Sequence, residues 1–356
     1  MPSLEAWQLV LVDNSFLSST HGQFGCTACH QGDARAVDKD AAHVNLVSRP
    51  SDSTDVFCGG CHAAIMEKHK ASLHASQKGY FALIEKRLGR DVSTEADIVV
   101  KFNKECGKCH ASCGQCHITR PVSTGGGFVK GHNFYSQSDS KLNCTACHGS
   151  RVGAEYFGEN EGLKSDVHWI PNVKKCVFCH DAEAMHGSTA GAEHRYDDQD
   201  MVRCEDCHDQ TSEANQFHTT HWGDLACQVC HSQPYKSCNG CHTGGHGITG
   251  SSYMTLKIAK NPRKSANRPY DIVVVRHIPI VRDTYADWGI ADLPNFDSEP
   301  TWKYATPHNI QRWTAQTDTT DAVWCGAKCH GSDFLLTIDD LDPDEVEANK
   351  HIVLTQ

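Results

Sequence analysis

The sequence predicts short α-helices joined by irregular loops, a little β structure at residues 270–281, and no conventional hydrophobic core. Three observations predict it. All 20 cysteines fall in ten close pairs, each followed directly by a histidine. Hydrophobic residues fill only 39% of the 356 positions, below the usual range. The ten clusters leave about 36 residues each, too few to wrap a separate apolar core around every one.

Nine clusters read Cys-x-x-Cys-His: Cys26/Cys29/His30, Cys58/Cys61/His62, Cys106/Cys109/His110, Cys113/Cys116/His117, Cys144/Cys147/His148, Cys176/Cys179/His180, Cys204/Cys207/His208, Cys227/Cys230/His231 and Cys238/Cys241/His242. The tenth, Cys325/Cys329/His330, is stretched by one residue. Thiols at this spacing form thioether bonds to a haem, and the adjacent histidine becomes the iron's fifth ligand. A single such motif is weak, because half a zinc site or a redox pair reads alike. Ten repeats with histidine always in place and no cysteine left over set zinc aside. For the stretched motif a disulfide is the alternative, in an oxidising compartment. Ten covalently bound haem c groups are therefore expected, and the macrocycles themselves are expected to supply the core. Without them the weakly apolar chain should be largely disordered. A globule of this length has a radius of gyration of roughly 20 Å, so ten macrocycles would sit roughly 20 Å apart, centre to centre. Crowding of that order lets electrons pass between neighbours.

The ten motif histidines leave 14 of the 24 to serve as sixth ligands. Neutral imidazole is a good iron ligand, so a histidine between motifs is a candidate here where it would be ordinary elsewhere. The favoured distal set is His21, His43, His74, His132, His168, His186, His194, His221, His246 and His308. His69 shares a predicted helix with His74. His218 lies three residues before His221 on the same helical face, so one of each pair suffices. His277 and His351 rank lower. Methionine is the rival ligand, and Met185 beside His186 is the contested position; filler is the expected role of the methionines. No catalytic residue is assigned.

Along the chain, residues 1–12 read as a strand. Residues 63–90 have helical periodicity and end at Gly89, and 95–104 form a second helix candidate. The third and fourth motifs are separated only by Ala111 and Ser112, which forces their haems to be neighbours. Residues 123–127 form a glycine-rich loop without the lysine of a phosphate cradle. The repeated CTACH at 26–30 and 144–148 extends into no longer repeat. Residues 243–324 carry no motif and read as a segment that wraps haem faces or docks a partner. Asp342 followed by Pro343 marks the start of a short helix rather than a calcium loop. The whole chain, 1–356, is read as one continuous haem-binding unit with subregions 1–117 (haems 1–4), 118–242 (haems 5–9), 243–324 and 325–356 (haem 10 and tail).

The formal charge of −11 disfavours nucleic acid as a partner. No apolar run is long enough to span a bilayer, and residues 1–12 do not read as a signal peptide. Covalent haem attachment nonetheless implies export, to the cell surface or extracellular space, with the periplasm as the alternative.

With these motifs the chain resembles the multihaem c-type cytochromes of extracellular electron transfer, including filament-forming ones. CGKCHASCGQCH at 106–117 and CQVCHSQPYKSCNGCH at 227–242 carry the resemblance most clearly. It implies iron held by two histidines at each haem, in a chain alternating between stacked and T-shaped neighbours. Partners are then redox proteins or extracellular acceptors, and a homopolymer with haem contact between subunits. The expected function is electron transfer, with no enzymatic activity. Two alternatives stay open. One is a multihaem reductase of a small oxyanion or a nitrogen or sulfur compound, with one open haem site; the stretched motif is its first suspect. The other is a soluble periplasmic electron shuttle.

Overall fold

The computed structural model describes residues 12–109, 111–187, 192–197, 201–211, 214–238, 252–318, 329 and 333–355. The chain divides into two compact units. Unit 1 comprises Met1–Gln77, Lys104–Gly149 and Cys176–Glu193; unit 2 comprises Lys78–Asn103, Ser150–Lys175 and His194–Gln356. The sequence reading expected one continuous unit, and the observed boundaries cut across its subregions. The first six motifs fall in unit 1 and the last four in unit 2.

Unit 1 is short helices and loops, as expected. Side chains that accept backbone N–H groups start several of them: Asp38 for Lys39–Ala42, Ser72 for Leu73–Ser76, Asp139 for Ser140–Cys144 and Asp181 for Ala182–His186. The helix expected over 63–90 is broken into Ala63–Ala71, Leu73–Ser76 and Lys78–Leu88. Ser72 is extended and caps the next turn, and Gln77 adopts a left-handed φ of 53°. Both interrupt the helical ladder, a local choice that periodicity cannot reveal. The second candidate is observed as Ala96–Glu105, in unit 2 up to Asn103. Unit 1 buries few large apolar side chains; Met66 and Ile118 are examples. Phe24, Val37, Val44, Leu46, Val56 and Phe178 stay exposed.

Unit 2 differs. Strands β1 (Tyr235–Ser237) and β2 (Tyr253–Thr255) pair antiparallel. Strands β3 (Lys257–Lys260), β4 (Ile272–His277) and β5 (Trp302–Tyr304) form a three-stranded antiparallel sheet in the order β3-β4-β5. Val275 sits opposite Lys257 on one side and Tyr304 on the other. The run Val273–Val275 is fully buried, the pattern of a strand covered on both faces. Tyr235, Leu256, Ile258, Trp302, Leu336 and Ile352 pack in the same cluster. The expectation of no conventional core thus needs a local correction, because the motif-free stretch builds an apolar core of its own. The reason is physical: with no attached macrocycle to cover, these strands bury each other. The tail follows the sequence reading, with Asp342 and Glu345 closing a capping box around Pro343 before the helix Val346–Asn349. Residues 1–11, part of the expected N-terminal strand, lie outside the described residues.

Candidate haem sites

Single turns of helix place the motifs. Cys26–His30, Cys113–His117, Thr145–His148, Cys176–Cys179 and Gln228–His231 are helical. The second and seventh motifs close the same turn with less regular backbone, His62 N–H donating to Cys58 O at 2.9 Å and His208 N–H to Cys204 O at 2.8 Å. Residues at i, i+3 and i+4 share a helical face, so both thiols and the histidine point the same way. That is the arrangement a macrocycle needs for two thioethers and an axial ligand. His110, Cys241, His242, His246, Cys325 and His330 lie outside the described residues, so the third, ninth and tenth sites are described only in part.

Of the first cysteines, Cys26 is exposed, while Cys58, Cys106, Cys113, Cys144, Cys176, Cys204, Cys227 and Cys238 are partly buried. Of the second, Cys61, Cys109, Cys179 and Cys207 are exposed, while Cys29, Cys116, Cys147 and Cys230 are partly buried. Cys147 Sγ lies 3.6 Å from Ser123 Oγ, which brings the glycine-rich loop against the fifth motif. Cys230 packs on the apolar cluster of unit 2, and its carbonyl accepts the Thr314 hydroxyl at 2.5 Å. Cys329 of the stretched motif is partly buried, and Cys325 lies outside the described residues.

The described residues bring six motif histidines beside six non-motif ones. In unit 1 the pairs are His21–His62 at 6.2 Å between ring centres, His30–His132 at 6.2 Å, His74–His148 at 6.3 Å and His117–His186 at 6.1 Å. In unit 2 they are His168–His208 at 6.2 Å and His218–His231 at 6.0 Å. Other ring contacts scatter widely, from 4.2 Å for His21–Phe134 through 4.9 Å for Phe157–Trp169 to 6.5 Å for Phe16–Phe134. The histidine pairs hold one separation while their interplanar angles run from 19° to 86°. Direct stacking would couple angle to distance. A metal ion between the rings fixes distance and leaves rotation free. A metal–imidazole bond of about 2.0 Å plus about 1 Å across half a ring, doubled, gives roughly 6 Å. The residues therefore fit iron held from both sides, and the exposed apolar side chains of unit 1 fit the faces of a macrocycle.

Hydrogen bonding prepares these rings. The Nδ1 atoms of His30, His117 and His231 reach the backbone carbonyls of Val47 (2.7 Å), Tyr135 (2.8 Å) and Gln311 (3.2 Å). Only a protonated Nδ1 can donate there, which leaves the Nε2 lone pair for a metal. His168 differs, for its Nδ1 lies 2.7 Å from the carboxylate of Asp166, itself 2% exposed. Burial, then the facing or neighbouring histidine, hold His21, His74, His132 and His186 below the ordinary histidine range, the direction that favours the neutral ring. For His74 that neighbour is His180 of the sixth motif, although its ring faces His148 of the fifth. The hydrogen bond to Asp166 pushes His168 the other way, upward.

Five of the favoured distal histidines, His21, His74, His132, His168 and His186, lie beside a motif histidine. At the eighth motif, His218 rather than His221 faces His231. Asn215 caps Gln216–His221, and packing of that helix selects between two residues on one face. His221 donates Nδ1–H to Phe217 O at 3.1 Å and His308 to Thr306 O at 2.9 Å, the same preparation as above. His43, His194 and His221 come beside no motif histidine among the described residues. His194 is also wrongly prepared: its Nδ1 accepts the Tyr196 N–H at 3.3 Å, which puts the proton on Nε2. His277 spends Nε2 on Glu345 at 2.8 Å and is a structural residue. Sequence reasoning missed Asp166 and also Asn143, a buried side chain whose amide donates to Gln115 O (2.7 Å) and Thr119 O (2.8 Å) and so ties the fifth motif to the fourth. The Asp-x-His spacing at 166–168 was the readable signal for the first.

Thiols of different motifs also meet. Hydrogen bonds join Cys58 to Cys113 and Cys144 to Cys176 in unit 1, and Cys204 to Cys227 in unit 2. Each pushes the first thiol up and pulls the second down, Cys113 to about 7 and Cys176 to about 6. Since each is the first cysteine of its motif, motifs two and four, five and six, and seven and eight are neighbours. His74 faces His148 of the fifth motif, and its electrostatics are coupled to His180 of the sixth.

No family model and no curated protein matches the chain. Among solved structures it is similar to an octahaem cytochrome c from Shewanella oneidensis, at 16% identity and a TM-score of 0.37. The match covers 60% of this chain and 63% of that one, less than two thirds of the other protein's length. The expectation of no enzymatic activity is corrected here: the similar structure is a multihaem cytochrome, and the match offers nothing that favours an absence of catalysis. By its motifs and its histidine pairs, the chain is similar to multihaem c-type cytochromes.

Proposed function

We propose that the chain is a multihaem c-type cytochrome that passes electrons along closely spaced haems. One observation carries the reading: six motif histidines each face one non-motif histidine at 6.0–6.3 Å. A haem held there supplies a one-electron iron couple. The protein's part is positional. Two histidines would hold the iron at each paired site, the backbone carbonyls of Val47, Tyr135 and Gln311 fix three of the rings, and the first cysteines of neighbouring motifs lie close together. In this reading electrons move between motifs two and four, five and six, and seven and eight, with ten haems in all. The protein acts outside the cytoplasmic membrane, where haem is attached, and exchanges electrons with redox proteins or extracellular acceptors. Among the described residues no helix is long and apolar enough to cross a membrane. The finer reading is assembly of copies into an extracellular filament with haem contact across each junction, supported by the resemblance of the motif-dense sequence.

Mass spectrometry of the exported protein tests the cofactor, with ten covalent haems expected. Electron paramagnetic resonance of the oxidised protein should show low-spin iron with two histidine ligands at the six paired sites. Unmodified thiols, or zinc in place of iron, would end the reading. Electron microscopy tests the filament separately.

A further inference from the structure

The core of unit 2 concentrates positive charge. Lys86 and Arg87, from the helix Lys78–Leu88, meet Arg195, Arg263, Arg268 and Lys303. Arg87, Arg268 and Lys303 are 1%, 3% and 5% exposed. Three guanidinium groups surround one ring: Arg195, Arg263 and Arg268 lie 4.7, 5.2 and 5.3 Å from the centre of Tyr196. One carboxylate, Glu299, takes Lys303 at 2.6 Å, Lys86 at 3.3 Å and Arg263. Arg87 donates to the backbone carbonyls of Phe296, Glu299 (2.9 Å) and Pro300 (3.2 Å). Arg195 donates to the Tyr196 hydroxyl (2.8 Å) and Tyr304 O (2.9 Å). Among the described residues Asp297 pairs with Arg282, and Asp197 accepts the His194 N–H.

Glu299 thus answers Lys303, Lys86 and Arg263 and lies near Arg87, in a chain whose formal charge is −11. Buried charge of one sign is costly unless an anion answers it. Burial leads in pushing Lys303 down to about 8. Among the described residues the buried Arg263 Nε has no hydrogen-bond partner and is a donor for an anion. His194 stacks on Tyr196 at 4.4 Å with its proton on Nε2.

We propose that His194, Arg195, Arg263 and Lys303 form a binding site for a carboxylate or similarly shaped small oxyanion. Guanidinium forks suit such a planar anion, and a neutral histidine donor adds direction without further charge. Two sources share this chemistry: a propionate of a bound haem, which rests on the function proposed above, and a free oxyanion.

The holoprotein distinguishes them. Calorimetry with acetate and with inorganic phosphate reads the free-anion arm: stoichiometric uptake by the wild type, weakened at least tenfold in Arg263→Gln, supports a free anion. Spectroelectrochemistry reads the propionate arm. There Arg263→Gln lowers the midpoint of one haem by about 59 mV, a tenfold change in the ratio of reduced to oxidised iron, and Arg263→Lys restores it. Lys86→Gln, half exposed and safe for folding, shifts the same haem in the same direction. Neither uptake nor any shift, in variants that keep their haems and low-spin spectra, overturns the proposal. Protein without haem would end the electron-transfer reading instead, and the calorimetric arm alone would then decide the site.

Discussion

Replacing Asp166 by asparagine should raise the midpoint potential of one haem and leave the others in place. Asp166 is 2% exposed and fully engaged. Its Oδ1 accepts the His168 N–H at 2.8 Å and faces His168 Nδ1 at 2.7 Å, while Oδ2 accepts the Ile310 N–H at 2.8 Å. Such a carboxylate makes the ring a stronger donor through Nε2, which favours ferric over ferrous iron. The carbonyl partners of His30, His117 and His231 carry no net charge. The size follows from the geometry. The 2.7 Å hydrogen bond, about 1 Å of ring and half the 6.2 Å between His168 and His208 put the charge about 7 Å from the midpoint of the pair. At an effective dielectric of about 20, one charge at that distance is worth about 2 kcal/mol. For a one-electron couple this is on the order of 100 mV. Asparagine can still offer an oxygen to the backbone, so the fold should survive. Spectroelectrochemical titration of wild type and Asp166→Asn, with haem count and spin state checked on the same samples, reads the effect. An unchanged titration curve, or a shift to lower potential, in a fully loaded low-spin variant would refute the reasoning.

Histidine identity can be read from spin state. His218→Ala should turn one low-spin haem high-spin in the ferric spectrum, because it removes the partner of His231. His277→Ala should leave every haem signal intact yet cost about 1–3 kcal/mol in denaturant unfolding, because it removes one partner of the buried Glu345 carboxylate, which keeps Thr301 and the Asp342 N–H. Acid should weaken unit 2 through Glu299. Burial pushes this carboxyl up, but Lys303, Arg263 and Lys86 outweigh it and hold it at about 2. A depressed carboxyl contributes stability that is complete above its ordinary value of 4.5 and is lost as pH falls through about 2. Unfolding free energies between those limits should decline with acid, and Glu299→Gln should flatten the decline.

What the sequence revealed follows from range. Two thiols and a histidine at i, i+3 and i+4 need one helical turn, so the motif sites were legible from spacing alone. The partner of each motif histidine was not. His132 meets His30 across 102 positions, and nothing local in either segment encodes that meeting. His218 and His221 show the same limit at short range: the helix puts both on one face, and tertiary packing decides. The strand β4 was readable as a run of valines, whereas β1, β2 and β5, of three residues each, carry too little pattern to stand out. The contrast between the units has one cause. Where motifs are dense, apolar side chains such as Phe24 and Val37 stay outside a protein core because a macrocycle is the surface they suit. Where motifs are missing, Val273–Val275 must bury themselves in protein. The division is not absolute, for Val229 and Cys230 of the eighth motif and Tyr235 before the ninth pack on the same cluster, so a motif can stand at the edge of a protein core when strands supply the apolar surface.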